Sequence, residues 1–145
     1  MPNNPDFTSQ WHLAAINAGA AWNIKTGAAA VPIAMIDSGV DPTHPDMASK
    51  LISGWNFVAS SNNTADVEGH GTATAGTASA ASNNGLEVTC VAWLNPIMPL
   101  VVLDATGSGI YSNVASAITY AATTRPASSI SALQAPRRPA GFRAP

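Results

Sequence analysis

Cysteine is almost absent: Cys90 stands alone, so no intramolecular disulfide or thiolate cluster is available, and packing or a non-thiol ion has to hold the fold. Its flanks, Val88-Thr89 and Val91, read as the setting of a small buried hydrophobe. Charge is scarce as well, at 10% of residues against 46% hydrophobic, a body too apolar to remain disordered. Long apolar runs are missing, since no 18-residue stretch escapes polar interruption, and no helical membrane span is expected. Basic residues are rare over most of the chain. Residues 1–124 hold Lys25 and Lys50 against all eight acidic residues, a net charge of −6, whereas Arg125, Arg137, Arg138 and Arg143 crowd the last 21 positions. An acidic body of this kind argues against a nucleic-acid partner.

What remains is 145 residues, 14.7 kDa, enough for one hydrophobic core. Residues 1–10 are polar and proline-bearing, with neither the charged start nor the apolar run of a leader peptide. From Gln10 to Ala21 apolar residues recur at three- and four-residue spacings, which predicts one or two short helical turns. Val31 to Ile36 is apolar on both faces and stops at Asp37-Ser38-Gly39, the pattern of a buried parallel strand that displays polar chemistry at its C-terminal end. A shorter strand is expected within Leu51–Val58. The small residues Thr72–Ala81 suit a helix packed close to its neighbours, stopped by the turn Asn83-Asn84-Gly85. Val88–Ala92 and Ile97–Leu103 read as strands, and Ser112 or Asn113 is placed to cap a last helix over Val114–Ala122. The alternation gives an α/β domain with a mainly parallel sheet. From Arg125 to Pro145 no period of 2 or 3.6 persists and four prolines intervene, so this tail is expected to be disordered.

Two islands carry the chemistry. Asp37 ends a buried strand, and His70, in Gly69-His70-Gly71-Thr72, opens a helix. Together they supply the parts of a general base: the carboxylate accepts the Nδ1 proton and stabilises the imidazolium, leaving Nε2 to take a proton from a nucleophile. Either island alone reads as an ordinary turn or an ordinary histidine.

In combination, Asp37-Ser38-Gly39, His44-Pro45-Asp46, His70-Gly71-Thr72-Ala73-Thr74-Ala75-Gly76-Thr77 and Val102-Leu103-Asp104-Ala105-Thr106-Gly107-Ser108-Gly109 resemble the motifs of the subtilisin-like serine proteases, from Asn3 to about Ala122. The resemblance implies a truncated subtilisin-like α/β fold, a mainly parallel sheet with helices on both faces. It also implies a serine endopeptidase that hydrolyses peptide bonds through an Asp-His-Ser triad, with Asp37 and His70 as catalytic members. An extended polypeptide substrate would pair with Gly107, Ser108 and Gly109 as an added strand, with Leu103 and Tyr111 lining apolar pockets; a simple turn before the last helix is the plainer reading of that segment. A structural Ca²⁺ is implied at Asn4, Asp46 and Asn84, with carbonyls of Ala81, Leu86 and Val88, a hard-oxygen set that suits the ion. Two departures stand out. Glu87 and Cys90 replace the small residues of Gly-Val-x-Gly-Val-Ala, where glycine often serves a backbone angle that Glu resists, and Ala73 replaces a histidine frequent three residues after the catalytic one. A secreted, extracellular location is implied by the resemblance alone.

The nucleophile motif Gly-Thr-Ser-x-Ala-x-Pro, the Ser-Leu-Gly substrate strand and the oxyanion asparagine occur nowhere in these 145 residues. An Asp–His pair without nucleophile and oxyanion donors cannot complete acyl transfer. The expectation is therefore a partial peptidase domain over 1–124 that is inactive as given, followed by a Pro/Arg-rich tail over 125–145 whose composition suggests a frameshift. Two other readings stay open: a non-catalytic peptide- or protein-binding α/β module, and half of an enzyme completed by a separate C-terminal half.

Overall fold

The computed structural model describes residues 1–124 and 128–131. A 3-10 turn over Pro5–Ser9 leads into two short helices, α1 (Trp11–Ala15) and α2 (Ala18–Trp22). Four strands then form one parallel sheet, β1 (Ile33–Asp37), β2 (Trp55–Asn56), β3 (Ile97–Val101) and β4 (Ser128–Ser131), in the order β2-β3-β1-β4. Between them lie α3 (Pro45–Ala48), α4 (His70–Ser79) and α5 (Tyr111–Thr124).

All five residues of β1 and of β3 are buried, the continuous apolar pattern of strands covered on both faces. Side chains alternate across β1. Ile33 and Met35 pack with Val40, Met47, Ala75, Ala78 and Cys90 on the α4 side, while Ala34 and Ile36 pack with Met98, Leu100, Ala117 and Ala121 on the α5 side. By the same alternation Asp37 belongs with Ile33 and Met35, on the face that α4 covers. Helices therefore flank the sheet on both faces. The chain leaves β1 toward α4 but leaves the adjacent β3 toward α5, so the two connections part at the C-terminal ends of neighbouring strands. Open α/β sheets bind ligands at such a switch point.

Gly71, Ala75 and Ala78 form the buried face of α4, and their small size brings the helix close to the sheet. A Cβ on Gly71 would overlap the carbonyl oxygen of Gly39 and stand 2.9 Å from its nitrogen and 3.0 Å from Ser38 Oγ. In α5 the stripe Val114, Ala117, Ala121 faces the core at helical spacing.

Several boundaries differ from expectation. The stretch over Leu51–Val58 pairs with β3 at an isolated Leu51–Ile97 bridge and again at Trp55–Asn56, with no ladder pairing between. Val88–Ala92 is not a strand: its backbone groups are taken by Asn4, Gln10 and Ser82 side chains and by the Thr77 and Ala78 carbonyls, which leaves no ladder to join. The last helix starts at Tyr111, ahead of Ser112 and Asn113, so neither caps it. The disorder expected over 125–145 does not hold for Ser128–Ser131, which pair in parallel with Ile33–Ile36. A fully buried strand leaves unpaired peptide groups on any open edge, and β4 satisfies those of β1. The rest of that tail lies outside the described residues.

Gly71→Ala is expected to lower the unfolding free energy by about 1–3 kcal/mol, as overpacking against rigid backbone does. Urea denaturation checks this, and an unchanged midpoint would mean that helix and strand end are not in contact.

Candidate active site

Asp37 is fully buried at the end of β1, where its Oδ1 accepts a hydrogen bond from the Ser38 amide at 2.7 Å. His70 is the first residue of α4, and its Nδ1 lies 2.9 Å from Asp37 Oδ1 and 3.0 Å from Oδ2. The imidazole is 45% exposed. One edge of the ring is thus held by a buried carboxylate while the other is open to solvent, the arrangement that fixes the Nδ1–H tautomer and leaves Nε2 as the basic atom. The hydrogen bond to Asp37 raises the pKa of His70; partial burial opposes this, and the charges of Asp37, Glu68 and Asp66 add to it.

The start of α4 is built around acids that carried no weight in the sequence. Gly69, at the N-cap, has φ 106° and offers no capping side chain. Glu68 caps instead, its Oε2 accepting from the His70 amide at 2.8 Å. Asp66 accepts from the Glu68 and Gly69 amides, from Ser38 Oγ, and from both the amide and hydroxyl of Thr72. Burial pushes Asp66 upward, but the Thr72 hydroxyl and the Gly69, Glu68 and Thr72 amides outweigh it and hold the carboxyl at about 2. Acids just before a helix start complement its dipole and its free N–H groups, a signal readable at Asp66 and Glu68.

The 103–111 segment leaves β3 beside this pair. Asp104 Oδ1 accepts from the Thr106 hydroxyl and from the Thr106 and Ser108 amides, which lowers its pKa, the hydroxyl bond foremost. The Asp104 amide in turn donates to the Ser108 carbonyl at 2.8 Å. The Gly107 amide donates to the Asp104 carbonyl at 2.9 Å, and Gly107, Ser108 and Gly109 are all exposed. A Cβ on Gly109 would overlap the Val102 carbonyl and stand 2.9 Å from Leu103 Cδ2, so only glycine fits. Glu68 reaches within 3.9 Å of the Gly107 Cβ position, bringing this loop to the helix that bears His70. Leu103 is half-buried, whereas Tyr111 is 85% exposed. A separate cleft of about 850 Å³ opens on the outer side of α4, lined by His44, Thr72, Ala73 and Glu87 among others. It includes neither Asp37 nor His70.

The six residues implied for Ca²⁺ converge on the N-terminal segment. The Asn4 amide nitrogen lies 3.0 Å from Asn84 Oδ1, 2.6 Å from the Leu86 carbonyl and 2.8 Å from the Val88 carbonyl. Asn84 Nδ2 donates to Asp46 Oδ1 at 2.7 Å, and the Ala81 amide donates to the Asp46 carbonyl at 2.8 Å. Asp46 Oδ2 is buried with no partner. Three oxygens aimed at a nitrogen with two hydrogens, beside an orphaned carboxylate oxygen, fit a hard cation better than they fit an amide. Glu87 has φ 25°, the left-handed region that the glycine of the resembled motif would enter without strain.

A buried strand-end carboxylate thus holds the imidazole of a facing helix at the switch point of a parallel sheet. Comparison with known proteins supplies the family. The sequence model of the Subtilase family matches residues 28–134, a span that includes β4. Thermitase of Thermoactinomyces vulgaris is 43% identical over 122 residues, which cover 83% of this chain and 43% of thermitase. The thermophilic serine proteinase of Bacillus sp. (strain AK1) is 42% identical over 102 residues, 70% of this chain and 25% of that protein. A cold adapted subtilisin-like serine proteinase of solved structure superposes with a TM-score of 0.59 at 31% identity, covering 70% of this chain and 35% of its own. The chain belongs to the subtilase family. It spans less than half the length of these relatives.

Because Asp37 favours the imidazolium, the pair stabilises the fold fully below the unfolded histidine value of 6.5, and this contribution is lost as pH rises through the higher folded value. The stability difference between the wild type and His70→Asn, measured in urea across this range, is expected to shrink with rising pH. A difference that grows with pH would reverse the assignment.

Proposed function

We propose that Asp37 and His70 form the general-base half of a serine endopeptidase site that hydrolyses peptide bonds. The observation that carries the reading is the Nδ1 contact of His70 with both oxygens of the buried Asp37, at 2.9 and 3.0 Å. Asp37 holds the tautomer and orientation. His70 Nε2 takes the proton of a serine hydroxyl as that oxygen attacks the scissile carbonyl, and returns it to the leaving amine. The serine and the oxyanion donors are not among these 145 residues, so the chain alone is inactive and the cycle requires a C-terminal half. The substrate is an extended polypeptide whose backbone pairs with the segment Gly107-Ser108-Gly109. All three residues are exposed, with the Gly107 and Ser108 amides held by Asp104, and Leu103 and Tyr111 flank the segment.

The purified chain is expected neither to react with a fluorophosphonate probe nor to hydrolyse casein. Mixed with a C-terminal subtilase portion bearing Gly-Thr-Ser-x-Ala-x-Pro, it is expected to gain casein hydrolysis, which His70→Ala lowers by about 10²–10⁴-fold, the usual worth of a general base. Labelling of the chain alone would overturn the inactivity, and hydrolysis in the mixture indifferent to His70→Ala would overturn the catalytic role.

Ca²⁺ belongs to the same reading. Asp46, Asn84 and Asn4, with the carbonyls of Ala81, Leu86 and Val88, would hold the ion, and its charge would fasten the entry segment to the loop after α4. Extracellular location accompanies this proposal, supported by a relative named cell wall-associated protease, from Bacillus subtilis (strain 168), 44% identical over 92 residues. Calcium at a hundredfold excess over its dissociation constant should stabilise the fold by about 2.7 kcal/mol. A higher melting temperature in calcium than in EDTA is expected for the wild type and not for Asp46→Asn. Equal melting of the wild type in the two conditions would exclude the site.

A further inference from the structure

Asp66 touches neither Asp37 nor the imidazole of His70, yet it bonds the side chain of Ser38, next to Asp37, and the backbone on both sides of His70. Its Oδ1 accepts from Ser38 Oγ at 2.8 Å, from the Gly69 amide at 2.9 Å and from the Glu68 amide at 3.1 Å. Its Oδ2 accepts from the Thr72 amide at 2.8 Å and the Thr72 hydroxyl at 2.5 Å. Ser38 follows Asp37 directly, gives its amide to Asp37 Oδ1, and accepts at Oγ from the Gly71 amide at 2.9 Å. Gly69, Gly71 and Thr72 flank His70. The Thr72 hydroxyl extends the web to the loop after β1 by accepting from the Asp41 amide at 3.0 Å. One carboxylate thus joins the strand end that carries the acid to the helix start that carries the base. Charge-assisted bonds of this kind are the strong ones, and a carboxylate that is ionised throughout the neutral range keeps accepting whatever the state of His70.

We propose that Asp66 is a positioning residue, which through Ser38 Oγ and Thr72 clamps β1 to α4 and so sets the Asp37–His70 contact. The inference rests on reading that contact as the catalytic base pair, and it adds a third carboxylate whose work is geometric. The charges facing His70 among the described residues are Asp37 from β1 and Glu68 and Asp66 from the segment before α4. Removing Asp66 therefore alters both charge and geometry, whereas Ser38→Ala and Thr72→Val remove clamp bonds and leave every charge in place.

Imidazole NMR of the full 145-residue chain reads the contact directly, through the deshielded Nδ1 proton of His70 and the titration of its ring. In the wild type the proton is expected to be visible and absent from Asp37→Asn, which identifies it. Asp66→Asn and Thr72→Val are each expected to broaden or lose that proton and to weaken proton binding by His70 about threefold or more, equivalent to roughly 0.7 kcal/mol. Ser38→Ala should act in the same direction and Thr72→Ser should restore the wild-type signal. If Asp66→Asn fails to fold, as judged by its amide spectrum, Thr72→Val against Thr72→Ser decides. Folded variants that keep the wild-type proton and titration would overturn the clamp while leaving the base pair intact. A wild type with no such proton would overturn the base-pair reading and the clamp with it.

Discussion

The close approach of two backbones governs this structure. The start of α4 lies against the end of β1, with Gly71 in contact with Gly39 and no room for a side chain between them. Because β1 places Asp37 on the face that α4 covers, and because His70 precedes the glycine that makes the contact, the separation of helix and strand is the separation of base and acid. Side chains of ordinary size at the interface would push the helix outward. The alanines and glycines of α4 are therefore the condition under which a carboxylate and an imidazole from residues 33 apart in the chain meet at hydrogen-bond distance.

Electrostatics then decides what that meeting can do. Asp37 is fully buried yet stays near a partly exposed ring that it polarises, and its uncompensated charge would be costly without the Ser38 amide and the His70 N–H. Glu68 and Asp66 accept instead from the amides at the head of α4, Asp66 through both oxygens and Glu68 through Oε2. Three carboxylates around one imidazole would otherwise be a poorly determined cluster. Here each has its own donors, and only Asp37 faces Nδ1.

Much of this was legible beforehand. The apolar run ending in Asp37-Ser38-Gly39 identified the central strand and the polar residues at its C-terminal end, and the small residues after His70 identified the close helix. The family motifs supplied the pairing of Asp37 with His70, which no single-sequence pattern could have supplied, since each residue alone is commonplace. Asp66 and Glu68 were overlooked although the helix start at His70 was in view: acids two and four residues before it are a capping signal, but which amides and hydroxyls each one takes depends on the fold of the loop. Val88–Ala92 had the composition of a strand but not its partners, as the side chains of Asn4, Gln10 and Ser82 took its peptide groups first. The tail failed in the opposite sense. Ser128–Ser131 has little strand character of its own, and it is the unpaired edge of β1 that recruits it.

That last pairing fixes an order of events. Ile33 stands opposite Ser128, so the strand that bears Asp37 gains its second neighbour from a segment about 95 positions later in the chain. Contacts of such long sequence separation form slowly, because the intervening loop must be closed before they are rewarded. On a ribosome β1 would emerge early with both edges open, one until β3 had been made and the other until the chain had passed α5. The acid of the pair is laid down first, and its strand is completed last.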